Sequence, residues 1–269
     1  MSATSSAPIG IFDSGIGGLT VASAVKKELP NEQLIYFGDT AHLPYGDKST
    51  AAIQAYSIKI TQLLLNRGCK LILIACNSAS AASYDLVREY VEKKAKVLNV
   101  IDPVVDYLRE HYPGKTVGLI GTKQTVNSQV YQHKVKALNQ QITLNSLATP
   151  LLVPMIEEGF CNGEISQKII EQYLNQPVLQ NLDAIILGCT HYPLIKSAIQ
   201  NYYGPGVEVI DSSEIVARAL NAYLGYNNLY NRKIKGTDHF MVSDYTDSFE
   251  SSTRQFFGKS IHLELVPMN

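Results

Sequence analysis

The chain has 269 residues, 45% of them apolar and 17% charged, with 23 Lys and Arg against 24 Asp and Glu. A chain of that length and apolarity buries a sizeable core, favours two domains over one and argues against disorder. The net charge of −1, with no Lys/Arg block, lacks the electrostatic footprint of a nucleic-acid binder.

A small molecule is therefore the expected partner. No apolar stretch approaches the roughly 20 residues that span a bilayer, and "MSATSSAPIG" has neither a basic cluster nor an apolar segment before the first strand. No membrane contact is expected, and a cytoplasmic location is.

In chain order, apolar runs at 9–13 (IGIFD), 34–39, 71–75, 96–101, 116–121, 142–148, 183–188 and 207–211 read as strands. Several are continuous rather than alternating, which fits parallel strands covered on both faces. Between them, 17–29, 49–67, 78–94, 102–112, 125–139, 164–181, 192–202 and 212–224 carry helical spacing. Ser49 and Asp102 are candidate caps, the latter followed by Pro103 at a favoured first-turn position. From 226 the chain is polar, then resumes a strand pattern at "HFMVSD" (239–244). Strands alternating with helices give an α/β fold.

The sequence echoes itself. "IGIFDSG" at 9–15 aligns with "VGLIGTK" at 117–123, an offset of 108, and "LILIACNSAS" at 71–80 pairs with "AIILGCTHYP" at 184–193, an offset of 113. Two such repeats predict two quasi-symmetric lobes, each a mostly parallel sheet flanked by helices, with the active site in the cleft between them. The first lobe is placed at 1–98 plus 212–269 and the second at 99–211.

Ligands of open parallel sheets bind beyond the carboxyl ends of the strands. Asp13, Ser14, Cys76, Asn77, Ser78, Cys189, Thr190 and His191 all fall at such ends. "DSGIGGLT" (13–20) sets three glycines before a helix, either as a tight turn or as a cradle for a carboxylate or phosphate. It is not G-x-G-x-x-G, which argues against a dinucleotide. "HLPYGDKS" (42–49) reads as a turn around Tyr45 and Gly46 whose position, rather than composition, draws attention.

Cys69, Cys76, Cys161 and Cys189 form no C-x-x-C pair and are too sparse for a disulfide scaffold. Cys69 and Cys161 read as inert buried thiols. Cys76 and Cys189 precede helix amino termini, where the dipole and amides lower a thiol's pKa. Zinc would need a second ligand pair beside Cys189 and His191, and none is visible, so no metal is expected. Two strand-end thiols suit either a redox pair or two-base stereoinversion, in which one thiolate removes a proton and the opposite thiol delivers another. A two-lobed amino acid binding module without catalysis is a third reading.

"IGIFDSGIGGLTV", "YFGDTAHLPYGDKS", "ACNSASA", "VPMIEEG" and "GCTHYPL" stand in this order, and with them the chain resembles the glutamate racemases of the aspartate/glutamate racemase superfamily over essentially its whole length. The resemblance implies interconversion of L- and D-glutamate without pyridoxal phosphate, other cofactor or metal, supplying D-glutamate for peptidoglycan, by an enzyme that is commonly a homodimer. It assigns the α-proton on the D side to Cys76, assisted by Asp13, and on the L side to Cys189, assisted by Glu157 and His191. It assigns substrate contacts to Asp13, Ser14, Tyr45, Gly46, Asn77, Ser78, Thr125, Thr190 and His191. Ser78 replaces the Thr of many members and keeps the hydroxyl. An aspartate racemase is the alternative within the superfamily. Lobe or loop movement is expected to contribute to turnover, because a shared cleft must exclude water and still release product.

Overall fold

The fold is seen in a computed structural model that describes residues 5–232 and 236–268. The start of the N-terminal segment and residues 233–235 of the polar stretch expected after 226 lie outside the described residues.

Strands β1 (Ile9–Asp13), β2 (Leu34–Gly38), β3 (Leu71–Ile74), β4 (Lys96–Asn99), β9 (His239–Val242) and β10 (Glu264–Leu265) form one sheet in the order β10-β9-β2-β1-β3-β4. Strands β5 (Thr116–Gly121), β6 (Thr143–Ala148), β7 (Ala184–Gly188) and β8 (Glu208–Asp211) form a second in the order β6-β5-β7-β8. Every pairing is parallel. The four-strand cores β2-β1-β3-β4 and β6-β5-β7-β8 have the same order, so the sequence echo corresponds to β1 repeated as β5 and β3 repeated as β7.

The continuous apolar runs of β1, β2, β3 and β7 are buried at every position, as strands sandwiched between helices must be. A large apolar cluster containing Ile9, Leu71, Leu187, Val209 and Leu220 runs through both sheets' inner faces. Separate clusters cover the outer faces, one around Phe12, Ile53 and Ile72 and the other around Val104, Val117 and Ile186.

Helices α1 (Leu19–Glu28), α2 (Thr50–Asn66), α3 (Asn77–Val91), α4 (Asp102–His111), α8 (Glu164–Leu174), α9 (Lys196–Tyr203) and α10 (Ser212–Tyr226) occupy the connections. Ser49 caps α2, accepting from Ala52 N at 3.2 Å. Asp102 is not a cap: Asn99 Oδ1 accepts from the amides of Ile101 (2.8 Å) and Asp102 (2.9 Å), and Asp102 opens the helix.

The helical span expected at 125–139 is two pieces, α5 (Lys123–Asn127) and α6 (Val130–Ala137). Gln129 is left-handed at φ 56°, while the Ser128 hydroxyl donates to Thr125 O and accepts from Val130 N, replacing helical bonds. The span at 164–181 ends at Leu174 because Pro177 disfavours helix before it, leaving a 3₁₀ turn over Pro177–Leu179. Helix α7 (Leu152–Glu157), α11 (Asp247–Phe257) and the two-residue β10 are additions that periodicity did not reveal.

Helix α10 packs along α1 and returns the chain to the first sheet. Beneath it, Lys70 Nζ meets Glu32 Oε2 at 2.6 Å with both side chains buried, and also donates to Leu229 O at 2.8 Å. Among the described residues, no helix is long and apolar enough to cross a membrane.

Candidate active site

In a sheet ordered 2-1-3-4, the crevice opens where successive connections depart in opposite directions. Here that is beyond β1 and β3 in one lobe and beyond β5 and β7 in the other. Residues following six strands line a single cavity of about 160 Å³. That is smaller than the roughly 300–1,000 Å³ of drug-sized sites, and suits a small metabolite.

The first lobe contributes Ser14 after β1, Leu43 to Asp47 after β2, and Cys76, Asn77 and Ser78 after β3. Cys76 is the N-cap of α3, its Sγ accepting from Ala79 N at 3.4 Å and lying 3.7 Å from Ser14 Oγ. These contacts favour the thiolate, as expected for a helix terminus. Burial and the negative charge of Asp13 outweigh them and push the Cys76 thiol up to about 12. The sequence expectation of a lowered pKa is thus reversed, because a cap satisfied inside a dry site loses more solvation than it regains.

Asn77 is 2% exposed. Its Oδ1 accepts from Tyr131 Oη at 2.9 Å, and its Nδ2, buried, has no hydrogen-bond partner among the described residues. A donor held in this way at a cavity wall is set for a ligand oxygen.

The second lobe contributes Thr122 and Lys123 after β5, Thr149, Pro150, Val153, Pro154 and Glu157 after β6, and Gly188 to His191 at and after the end of β7. Cys189 does not cap an α-helix; a 3₁₀ turn over Tyr192–Ile195, containing Pro193, intervenes before α9. Its polar neighbour is His191, whose Nδ1 lies 3.8 Å from Sγ, while Nε2–H donates to Glu157 Oε1 at 3.0 Å. Burial alone lowers the His191 pKa, but the bonds to Cys189 and Glu157 overcome it and raise it to about 10. These bonds favour the protonated ring of His191 beside Cys189. The ring of Phe256, from α11, packs edge-on against it at 5.2 Å.

Asp13 and Thr125 stand one layer behind the cavity wall. Asp13 is fully buried, accepting from Gly15 N at 3.0 Å and from Thr190 Oγ1 at 3.3 Å. Burial raises its pKa, opposed by the positive charge of His191 and by its hydrogen bonds. Thr125 Oγ1 lies 3.4 Å from Ser78 Oγ and accepts from Thr122 Oγ1 at 3.1 Å, supporting the wall rather than forming it. Tyr45 lines the cavity, yet its hydroxyl donates to Asp39 Oδ2 at 2.7 Å and is not directed at a ligand. Ser14, Gly46, Asn77, Ser78, Cys76, Cys189, Thr190, His191 and Glu157 all reach the cavity.

The glycines of "DSGIGGLT" are taken up by close packing. A Cβ at Gly17 falls 2.3 Å from His191 Cε1 and 2.8 Å from Thr190 Oγ1, and one at Gly18 falls 2.4 Å from Asp13 Cβ. The space a phosphate would need is filled by these side chains, so the loop is a seam between lobes. Further bonds cross that seam: Ser78 Oγ to Thr122 Oγ1 at 2.8 Å and Thr20 Oγ1 to Thr190 O at 2.9 Å.

Leu43, Pro44, Asp47, Thr122, Lys123, Thr149, Pro150, Val153 and Pro154 also line the cavity and were not singled out from sequence. Position after a strand was the available signal for Thr122, Lys123 and Thr149. Among the described residues, no group of three or more His, Cys, Asp and Glu side chains is gathered to hold a metal.

The family model of Asp/Glu/hydantoin racemases matches residues 19–220. A glutamate racemase of Chlorobaculum parvum is 39% identical over 267 residues, covering 98% of each chain. The crystal structure of glutamate racemase from Francisella tularensis in complex with D-glutamate superposes with a TM-score of 0.92 at 38% identity, covering 98% of this chain and 99% of that one. The aspartate racemase of Picrophilus torridus, at 22% identity and a TM-score of 0.57 over 83% of this chain, shares the fold alone.

Proposed function

The chain belongs to the Asp/Glu/hydantoin racemase family, and on that premise we propose that it interconverts L- and D-glutamate by two-base proton transfer between Cys76 and Cys189, without a cofactor. The observation that carries this reading is the placement of the two sulfurs: each ends the equivalent strand of a repeated lobe, and both open on one small cavity.

From L-glutamate, the Cys189 thiolate removes the α-proton while the Cys76 thiol delivers one to the opposite face; from D-glutamate the roles exchange. Burial holds Cys76 as a thiol, and His191, backed by Glu157, is placed to donate to the Cys189 sulfur. Asp13 is the positioning carboxylate on the Cys76 side.

The α-proton is very weakly acidic, so charge developing at Cα needs preorganised donors in a water-poor site. The free amide of Asn77 and the hydroxyls of Ser78 and Thr190 are assigned that role, with the backbone at Tyr45 and Gly46 and the Ser14 hydroxyl completing the contacts. The same proposal includes division into lobes at 1–98 plus 212–269 and 99–211, a homodimer, a cytoplasmic location and supply of D-glutamate to peptidoglycan.

Circular dichroism of purified protein with each enantiomer of glutamate and of aspartate, with chelator and without pyridoxal phosphate, tests the reading. Glutamate is expected to racemise from both directions and aspartate far more slowly. Faster turnover of aspartate, or binding of glutamate with no exchange of its α-proton, would overturn it.

A further inference from the structure

The cavity wall carries charged groups of both signs. Asp47 and Glu157 line it and Asp13 lies just behind it, whereas its positive groups are His191 and Lys123. His191 is already held between Cys189 and Glu157. Among the described residues lining the cavity, Lys123 brings the only ammonium.

Lys123 sits at the first position of α5, directly after Thr122, in the second-lobe counterpart of the Ser14–Gly15 turn. Its Nζ is 3.1 Å from Asp47 Oδ1 across the lobes, and the two side chains are 53% and 59% exposed. Gln124 Nε2 donates to Thr50 Oγ1 at 3.1 Å beside it. An exposed pair of this kind is weakly held and open to competition.

We propose that Lys123 is the substrate-capturing residue of this site: it rests on Asp47 in the free protein and transfers to a carboxylate of the incoming amino acid, drawing it past the carboxylates of Asp47 and Glu157. The inference rests on the reading of the chain as a glutamate racemase. It makes Asp47 a competitor that attenuates the field of Lys123 at the mouth. A plain latch between lobes makes a different prediction, because removing either partner then breaks the same pair with the same consequence.

The test compares kcat/KM for both enantiomers of glutamate in wild type, Lys123→Met, Lys123→Arg and Asp47→Asn across ionic strength. Lys123→Met is expected to lose roughly tenfold in kcat/KM at low salt, mainly through KM, and to flatten the salt dependence, as loss of electrostatic steering does. Lys123→Arg should retain the salt dependence. Asp47→Asn should raise kcat/KM. If Lys123→Met and Asp47→Asn shift kcat/KM in the same direction, or if neither changes it, the inference is overturned. Wild type that fails to racemise glutamate in the same assay brings down the parent reading instead.

Discussion

Cys76 and Cys189 end corresponding strands, β3 and β7, but their surroundings share little. The first is an α-helix cap among Ser14, Asn77 and Ser78, with a thiol pushed up to about 12. The second precedes a 3₁₀ turn and faces His191, itself tied to Glu157 and raised to about 10. One strand over, Asp39 and Thr149 also correspond, each donating its backbone N–H to the end of the preceding strand, at Asp13 O (3.0 Å) and Gly121 O (2.8 Å). Yet Asp39 gathers Tyr45, Ser243 and His42, while Thr149 meets the Tyr192 hydroxyl. The repeat therefore lies in strand order and backbone bonding, and the side chains have made the halves chemically distinct. A site that treats two enantiomers alike in outcome can still be built from unlike halves.

The largest effect expected is at the sulfurs. Cys76→Ala and Cys189→Ala should each lose about 10³-fold or more of racemisation followed by circular dichroism, in both directions. Near-normal activity in either variant breaks the pairing of the two halves.

The next comparison separates their helpers. His191→Asn and Asp13→Asn should each lose roughly 10²-fold, but they slow different proton transfers. Because the enantiomers are equally stable, kcat/KM must fall equally in both directions, and the difference appears in isotope effects. His191→Asn should enlarge the primary deuterium effect from L-[α-²H]glutamate relative to the D enantiomer, and Asp13→Asn the reverse. Equal changes would show that the helpers are not divided between the sulfurs.

Gly17→Ala and Gly18→Ala probe the same division through packing. The first drives a methyl against His191 and Thr190, the second against Asp13. Each should lower stability by about 1–3 kcal/mol in urea unfolding, with the isotope signatures of His191→Asn and Asp13→Asn respectively.

The remaining comparison is in pH. His191 is raised from 6.5 to about 10, so its protonation-linked stability is fully present below pH 6.5 and is lost as pH rises through about 10. Cys76 is raised from 9.0 to about 12, so the corresponding loss on its side falls between pH 9 and 12. Urea midpoints should therefore converge between wild type and His191→Asn in the lower window. Between wild type and Cys76→Ala, the difference should change only in the upper one.

Much of this architecture was legible in the chain because buried parallel strands are continuous apolar runs, and the eight main strands fall within the expected spans, shortened by up to two residues at their ends. The two sequence echoes match β1 with β5 and β3 with β7. Short elements were not legible: α7 spans six residues around Pro154, and α11 (DSFESSTRQFF) is rich in Ser, Thr and Phe, which have modest helix propensity. At the site, strand-end position brought out the thiols, His191 and their neighbours. Thr149, Pro150, Val153 and Pro154 carry no reactive group to signal them, and the burial that reverses the Cys76 pKa is a property of the assembled fold, which no local pattern contains.

The central claim is that two bases address one carbon from opposite faces. In heavy water, stopping the reaction at early conversion of either glutamate enantiomer should give product deuterated at Cα and recovered starting enantiomer still carrying protium, as seen by mass spectrometry or NMR after chiral separation. Deuterium appearing equally in the recovered starting enantiomer would mean that one base serves both faces, and would contradict the account.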